Sequence, residues 1–151
     1  MLIKGKTIDF KLSDRDIENR EKNWRKVLPK EFVEFIKNHN GLIPDERIFI
    51  QNGICIENFL CLVDNISESE YSQNDIDVII SKYDEFMVFS EDTIGTDLIP
   101  FAKLSKDKLL CLCYKHENPS VVIWSFEGSG EFDPNIEEYS NDFGEFLKSI
   151  E

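Results

Sequence analysis

Hydrophobic positions recur along this chain in two rhythms, and the changes from one to the other mark out its elements. From Leu28 to Gly41 the rhythm is helical. Pro29 has the fixed φ that suits a first helical position, Phe32, Phe35 and Ile36 recur at helical spacing, and Asn40-Gly41 tolerates a left-handed cap. Upstream, Ser13 followed by Asp16 matches a capping box with the shorter acid, and Ile17, Trp24 and Leu28 then fall on one side of a charged helix. That helix should stop near Val27, because Pro29 turns Leu28 away from helical dihedrals. Ile76, Ile79, Ile80, Tyr83 and Met87 trace a third stripe, with Asp75 and Asp77 in the first turn, where the helix dipole favours negative charge. A last helix carries Phe143, Phe146, Leu147 and Ile150 on one side, with Ser140 or Asn141 as its cap.

Elsewhere the rhythm is that of strands. Thr7 to Leu12 alternates polar and apolar residues, which suits an edge strand or an extended arm. Arg47 to Ile50 and Ile54 to Val63 flank Gln51-Asn52-Gly53, and Asn-Gly is a strong hairpin signal. Pro100 places Leu98 to Ala102 at a sheet edge or a bulge. Lys108 to Tyr114 and Ser120 to Phe126 are apolar on both faces, so they belong in the middle of a sheet. Glu127-Gly128-Ser129-Gly130 then ends the second of them, and a short segment around Ile136 comes next. Asp64 to Asn74 and Ser90 to Thr96 read as acidic surface loops.

Composition fits one domain over residues 1–151. The chain is long enough to bury about 70% of the surface it would expose unfolded, so no staple is required. The longest unbroken apolar run is the six residues Leu109 to Tyr114, far short of the roughly 20 that span a bilayer. Met1 to Lys6 has no signal-peptide core, so the expected location is cytoplasmic.

Charge alters the picture more. Thirty acids against 17 bases give a net −13, and the excess is uneven. Residues 1–31 are mildly basic, whereas Asp64 to Asp97 holds ten acids and only Lys82, and Glu127 to Glu151 holds eight and only Lys148. Such a field repels nucleic acid and anionic membranes and attracts a basic partner.

Reactive chemistry finds little support. Cys55, Cys61, Cys111 and Cys113 all lie in apolar, strand-like segments, the pattern of core thiols rather than of a disulfide framework. Two cysteines two apart on a strand stand about 6.5 to 7 Å apart, too far for thiolates sharing one zinc. His39 and His116 have no Cys or carboxylate at metal-ligand spacing and are expected at the solvated surface. Asp142-Phe143-Gly144 spells a kinase tripeptide without the other kinase motifs, and Gly128-Ser129-Gly130 lacks the lysine and helix of a phosphate loop. No catalytic, metal or cofactor residues are assigned, and no enzyme activity is expected.

Three segments, in order, resemble the SUKH superfamily, a group of bacterial immunity proteins that also includes a yeast regulator of cell-wall synthesis. The first is Leu28-Pro29 with Phe32, Phe35 and Asn40-Gly41. The second is Leu98-Ile99-Pro100-Phe101-Ala102 followed by Leu109-Leu110-Cys111-Leu112 and Val121-Val122-Ile123-Trp124. The third is Asn141-Asp142-Phe143-Gly144-Glu145-Phe146-Leu147. Leu42 stands where the family often has a second glycine, and Ser105-Lys106-Asp107 where it often has Gly-Asp. The resemblance implies an α+β domain, an antiparallel sheet packed against three to four helices, with no catalytic residues to carry over. It also implies an immunity protein that binds and neutralises a cognate toxin, with an intracellular scaffold domain as the alternative. The acidity makes a basic nuclease domain the expected partner. The expected contact residues are Glu91, Asp92, Asp97, Glu127, Glu131, Asp133, Glu137 and Glu138, taken as loop acids, with Trp24 and Tyr71 as exposed aromatics.

Overall fold

Helix α1 (Asp14–Trp24) starts at the predicted box: the Asp16 backbone N–H donates to the Ser13 hydroxyl at 3.2 Å, and the Ser13 N–H to the Asp16 carboxylate at 2.8 Å. It ends a turn sooner than Pro29 alone would require. Arg25 takes the left-handed conformation (φ 59°), and the Trp24 carbonyl accepts the Thr96 N–H at 3.3 Å. Gly95 presses so close that a Cβ there would run into that carbonyl oxygen, which is why the loop before Thr96 carries glycine. The computed structural model describes residues 3–150.

Helix α2 (Lys30–Asn38) comes next, with Pro29 just outside it as N-cap. The Asn40-Gly41 signal does more than end this helix. Gly41 supplies the positive φ (68°), while the buried Asn40 side chain pairs with the Leu62 backbone in both directions, donating to its carbonyl and accepting its N–H, each at 2.9 Å. The amide thus stands in for a strand neighbour and ties the helix end to the chain beyond the first hairpin.

The expected strand at Thr7 to Leu12 is not one. Pairing instead occurs earlier, between β1 (Gly5–Lys6) and β2 (Ile43–Pro44), and residues 7–12 run as an irregular arm whose Ile8 N–H reaches the Asn40 carbonyl at 3.0 Å. The main sheet is a six-stranded antiparallel meander: β3 (Ile48–Gln51), β4 (Ile54–Phe59), β5 (Leu98–Leu104), β6 (Lys108–Cys113), β7 (Ser120–Gly130) and β8 (Asp133–Ser140). Asn52 and Gly53, both at positive φ, close the β3–β4 hairpin as predicted.

Pro100 marks a bulge, but in an interior strand. β4 pairs with β5 only from Leu104 back to Ala102, so the missing N–H of Pro100 interrupts no ladder on that side. β5 and β6 lie at the centre of the meander and β7 one place in from the β8 edge. The two edge strands approach each other: Tyr139 Oη donates to the Ile50 carbonyl at 3.3 Å and Gln51 Nε2 to Glu137 Oε2 at 3.1 Å, so the sheet is curled.

The third stripe splits. Helix α3 (Ile76–Tyr83) ends where Asp84 takes a positive φ (39°), and a 3₁₀ turn, Asp84–Met87, then delivers Met87 to the core. Helix α4 (Phe143–Ile150) is capped by Asp142, whose side chain accepts the Glu145 N–H at 2.8 Å, rather than by Ser140 or Asn141. Four helices and a curled antiparallel sheet make an α+β domain, as the resemblance implied. Phe32 and Phe35 from α2 and Phe143 and Phe146 from α4 meet Phe59 and Phe101 of the sheet, with neighbouring rings 4.9 to 5.9 Å apart. Trp124 is covered separately, by Tyr83 at 4.6 Å and by the 3₁₀ turn, whose Phe86 carbonyl accepts its Nε1–H at 3.0 Å.

Candidate functional site

The largest correction concerns the second acidic stretch. Sequence reading ends β7 at Phe126 and treats residues 127–130 as loop, but the strand continues to Gly130 and pairs with a full-length β8. Side-chain bonds carry the ladder across the glycines. Ser129 Oγ donates to the Ser125 carbonyl at 2.6 Å and accepts the Asn135 N–H at 2.9 Å, while Asn135 Nδ2 donates to the Glu127 carbonyl at 2.9 Å. Glu127, Glu131, Asp133, Glu137 and Glu138 are therefore held on one hairpin rather than on mobile loops, and all five are exposed. No Lys or Arg forms an ion pair with any of them among the described residues. The backbone that carries them is already ordered by the ladder, so docking a partner orders only their side chains and no loop.

The acids of the Ser90–Asp97 loop are placed elsewhere. Register puts Leu98, Cys113 and Ser120 at one end of the sheet and Leu104, Lys108 and Ser125 at the other. The Ser90–Asp97 loop joins the first end, whereas the β7–β8 tip with Glu127, Glu131 and Asp133 extends beyond the second, so these acids do not form one cluster; Glu137 and Glu138 lie between, opposite Ile123 and Val122. Glu91 and Asp92 are exposed. Asp97 is not a free surface acid: its carboxylate accepts the Phe89 N–H at 2.8 Å and the Thr93 hydroxyl at 2.9 Å, with Lys26 Nζ at 4.0 Å. It organises its own loop.

Of the two aromatics, Tyr71 is exposed, and Trp24 is buried at 3% exposure. Its Nε1–H donates to Asp77 Oδ1 at 2.6 Å, a partner 53 residues away that the helical pattern of α1 cannot reveal. The same carboxylates engage Arg20. Its guanidinium grips Asp75 through two bonds of 3.0 Å, Asp77 at 2.5 Å and the Val63 carbonyl at 2.8 Å, while Asp75 also accepts the N–H groups of Val63 and Asp77. Burial works against the Arg20 charge, but hydrogen bonding and charge from Asp75, then Asp77, outweigh it and raise its pKa. Two of the ten acids between Asp64 and Asp97 are thus engaged within the fold, sharing the single positive charge of Arg20.

The thiols behave as core residues. Cys61, Cys111 and Cys113 are buried and Cys55 is partly exposed. Burial pushes the Cys61 thiol up to about 12, with the Asp75 charge adding to it, and raises Cys111 and Cys113 as well. In the native protein a thiol reagent near neutral pH should modify Cys55 alone on a timescale of minutes, with the other three reacting only on unfolding. Rapid modification of a second thiol would contradict the buried placement. His39 differs from expectation too: it is half-buried against the Phe35 ring at 5.1 Å, and burial lowers its pKa. His116 is exposed.

Sequence reasoning missed three members of the acidic hairpin's surroundings. Phe132 donates its N–H to the Glu85 carbonyl at 2.9 Å, which folds the hairpin tip onto the Asp84–Met87 turn and adds Asp84 and Glu85 to the acids there. Phe126, read as the last core residue of its strand, is 50% exposed. The visible signal was Tyr83-Asp84-Glu85-Phe86, acids between aromatics, although only the tertiary contact shows where it points.

Residues 14–147 match the family model SUKH_6, described as SMI1-KNR4 cell-wall. The chain belongs to this branch of the SUKH superfamily. No curated protein and no solved structure matches it. The matched span covers all four helices but for the last turn of α4, together with β2 to β8. A domain of this family is consistent with an immunity-protein role, and no helix among the described residues is long and apolar enough to cross a membrane.

Proposed function

We propose that this chain is an immunity protein that binds a cognate toxin and neutralises it through the acidic β7–β8 hairpin. The toxin presents a basic cleft, of the kind a nuclease uses to grip phosphates, and the hairpin occupies that cleft in place of the substrate. The observation that carries this reading is the set of five exposed carboxylates on one hairpin, Glu127, Glu131 and Asp133 about its tip and Glu137 and Glu138 farther along β8, without Lys or Arg partners among the described residues. Exposed like charges on one hairpin repel one another weakly in water, and together they set up a negative field that draws in an opposite charge. Family membership supports a binding role, and no bond is made or broken in it.

The test is co-expression with the product of the adjacent gene, read by pull-down and by rescue of growth. Capture together with rescue supports neutralisation, and growth arrest that continues despite the chain's presence overturns it. The electrostatic part has its own readout. Between about 0.1 M and 1 M salt the screening length falls from about 10 to about 3 Å, and the association rate should fall by about tenfold or more. A rate indifferent to salt would remove the charged hairpin from the recognition step.

A further inference from the structure

The acidic hairpin also carries a bare aromatic surface. The half-exposed Phe126 ring lies 5.7 Å from Tyr83, 5.9 Å from Phe86 and 6.3 Å from Trp124. Its floor is fixed, since Trp124 is fully buried and anchored to the Phe86 carbonyl. At one margin Lys82 Nζ already stands 5.3 Å from the Tyr83 ring centre, so this group of rings holds one ammonium at its edge. At another margin the Phe132 to Glu85 backbone bond brings the Glu131 side chain against that of Glu85. Partial burial, then the Glu131 carboxylate as both charge and hydrogen-bond partner, then Asp84, raise the pKa of Glu85.

We propose that Phe126, Glu85 and Glu131 form the anchor for an arginine side chain of the bound protein, the guanidinium lying on the ring and forking to the two carboxylates. The proposal rests on the reading of a basic partner and names where that partner is held. Charge complementarity selects the occupant. An apolar group on Phe126 would strip water from neighbouring carboxylates and leave them unpaired, which is expensive. An ammonium would answer the charge, but only a guanidinium answers the flat ring and both carboxylates at once. A cation there also removes the repulsion that the fold imposes on Glu85 and Glu131.

A hexa-arginine peptide titrated into the labelled protein at low salt, followed by amide chemical shifts, tests this without the partner. Shifts should concentrate at residues 84–87 and 126–133. Phe126→Ala should weaken binding about tenfold and Glu131→Gln about threefold, while the double change Glu91→Gln, Asp92→Asn at the other end of the sheet should alter it less than about twofold. Glu131 is at an exposed tip, so its variant keeps the test sound if Phe126→Ala destabilises the hairpin. Equal weakening by the Glu91/Asp92 pair, or unchanged binding by Glu131→Gln, would overturn the anchor. In the growth assay, rescue by Phe126→Ala with undiminished affinity for the toxin would sink the anchor and leave neutralisation standing. A wild-type chain that fails to rescue would sink neutralisation, and the peptide titration would still decide the anchor.

Discussion

Replacing Arg20 by methionine should lower stability by about 3–5 kcal/mol and the melting temperature by on the order of 10 °C. Asp75 has 0% side-chain exposure and Arg20 only 13%, so the ion pair is almost wholly out of water. Methionine fills much the same space but leaves the Asp75 carboxylate with two backbone N–H donors, from Val63 and Asp77, and no counter-charge. The cost therefore comes from an uncompensated buried charge more than from lost contacts. Asp75→Asn in the same background checks that cause, because asparagine keeps an acceptor for the α3 cap and removes the charge. The double variant should lose clearly less than the sum of the two single losses in urea unfolding. Strict additivity would mean that the network is a set of independent bonds.

That network also shows what local pattern can and cannot reveal. The Ser13/Asp16 box, the Asn52-Gly53 turn and the phenylalanine stripes of α2 and α4 were readable because each depends on neighbours within one turn or one hairpin. Trp24 and Arg20 were not. They sit on a helix whose mixed charge looks solvated, and their partners Asp75 and Asp77 lie more than 50 residues on. The acidic residues divided for the same reason. Asp97, Asp75 and Asp77 are structural, serving N–H groups and a guanidinium, whereas those on β7–β8 are exposed and have no Lys or Arg partner among the described residues, and composition cannot separate the two kinds. β8 escaped detection because its outward acids and Pro134 mask the alternation, and because Ser129 and Asn135 bridge a bulge that reads as a loop. Of the candidate site, the acids on the hairpin were legible as residues, and their common element was not.

Phe143→Ala should be the most damaging single truncation in the core, at about 3–5 kcal/mol, a large share of the roughly 5–15 kcal/mol that holds a domain of this kind folded. Phe143 is fully buried and its ring is a hub: Phe32 lies 5.1 Å away, Phe101 5.3 Å, Phe35 5.6 Å and Phe146 5.7 Å. Four rigid rings from two helices and a strand cannot all move inward to fill one void, so collapse is limited and the cavity term stays near its maximum. Phe143→Leu, which preserves most of the volume, should cost about 1.5 kcal/mol or less. The consequence reaches the acidic hairpin, because α4 packs against β3, β7 and β8 and Phe146 beside it touches Tyr139 of β8 at 6.3 Å. Hydrogen exchange should therefore quicken in α4 and β8 of Phe143→Ala before it does in α1, where the Arg20 and Trp24 bonds hold independently. Uniform quickening across the chain would instead mean that the phenylalanine cluster and the ionic network unfold as one cooperative unit.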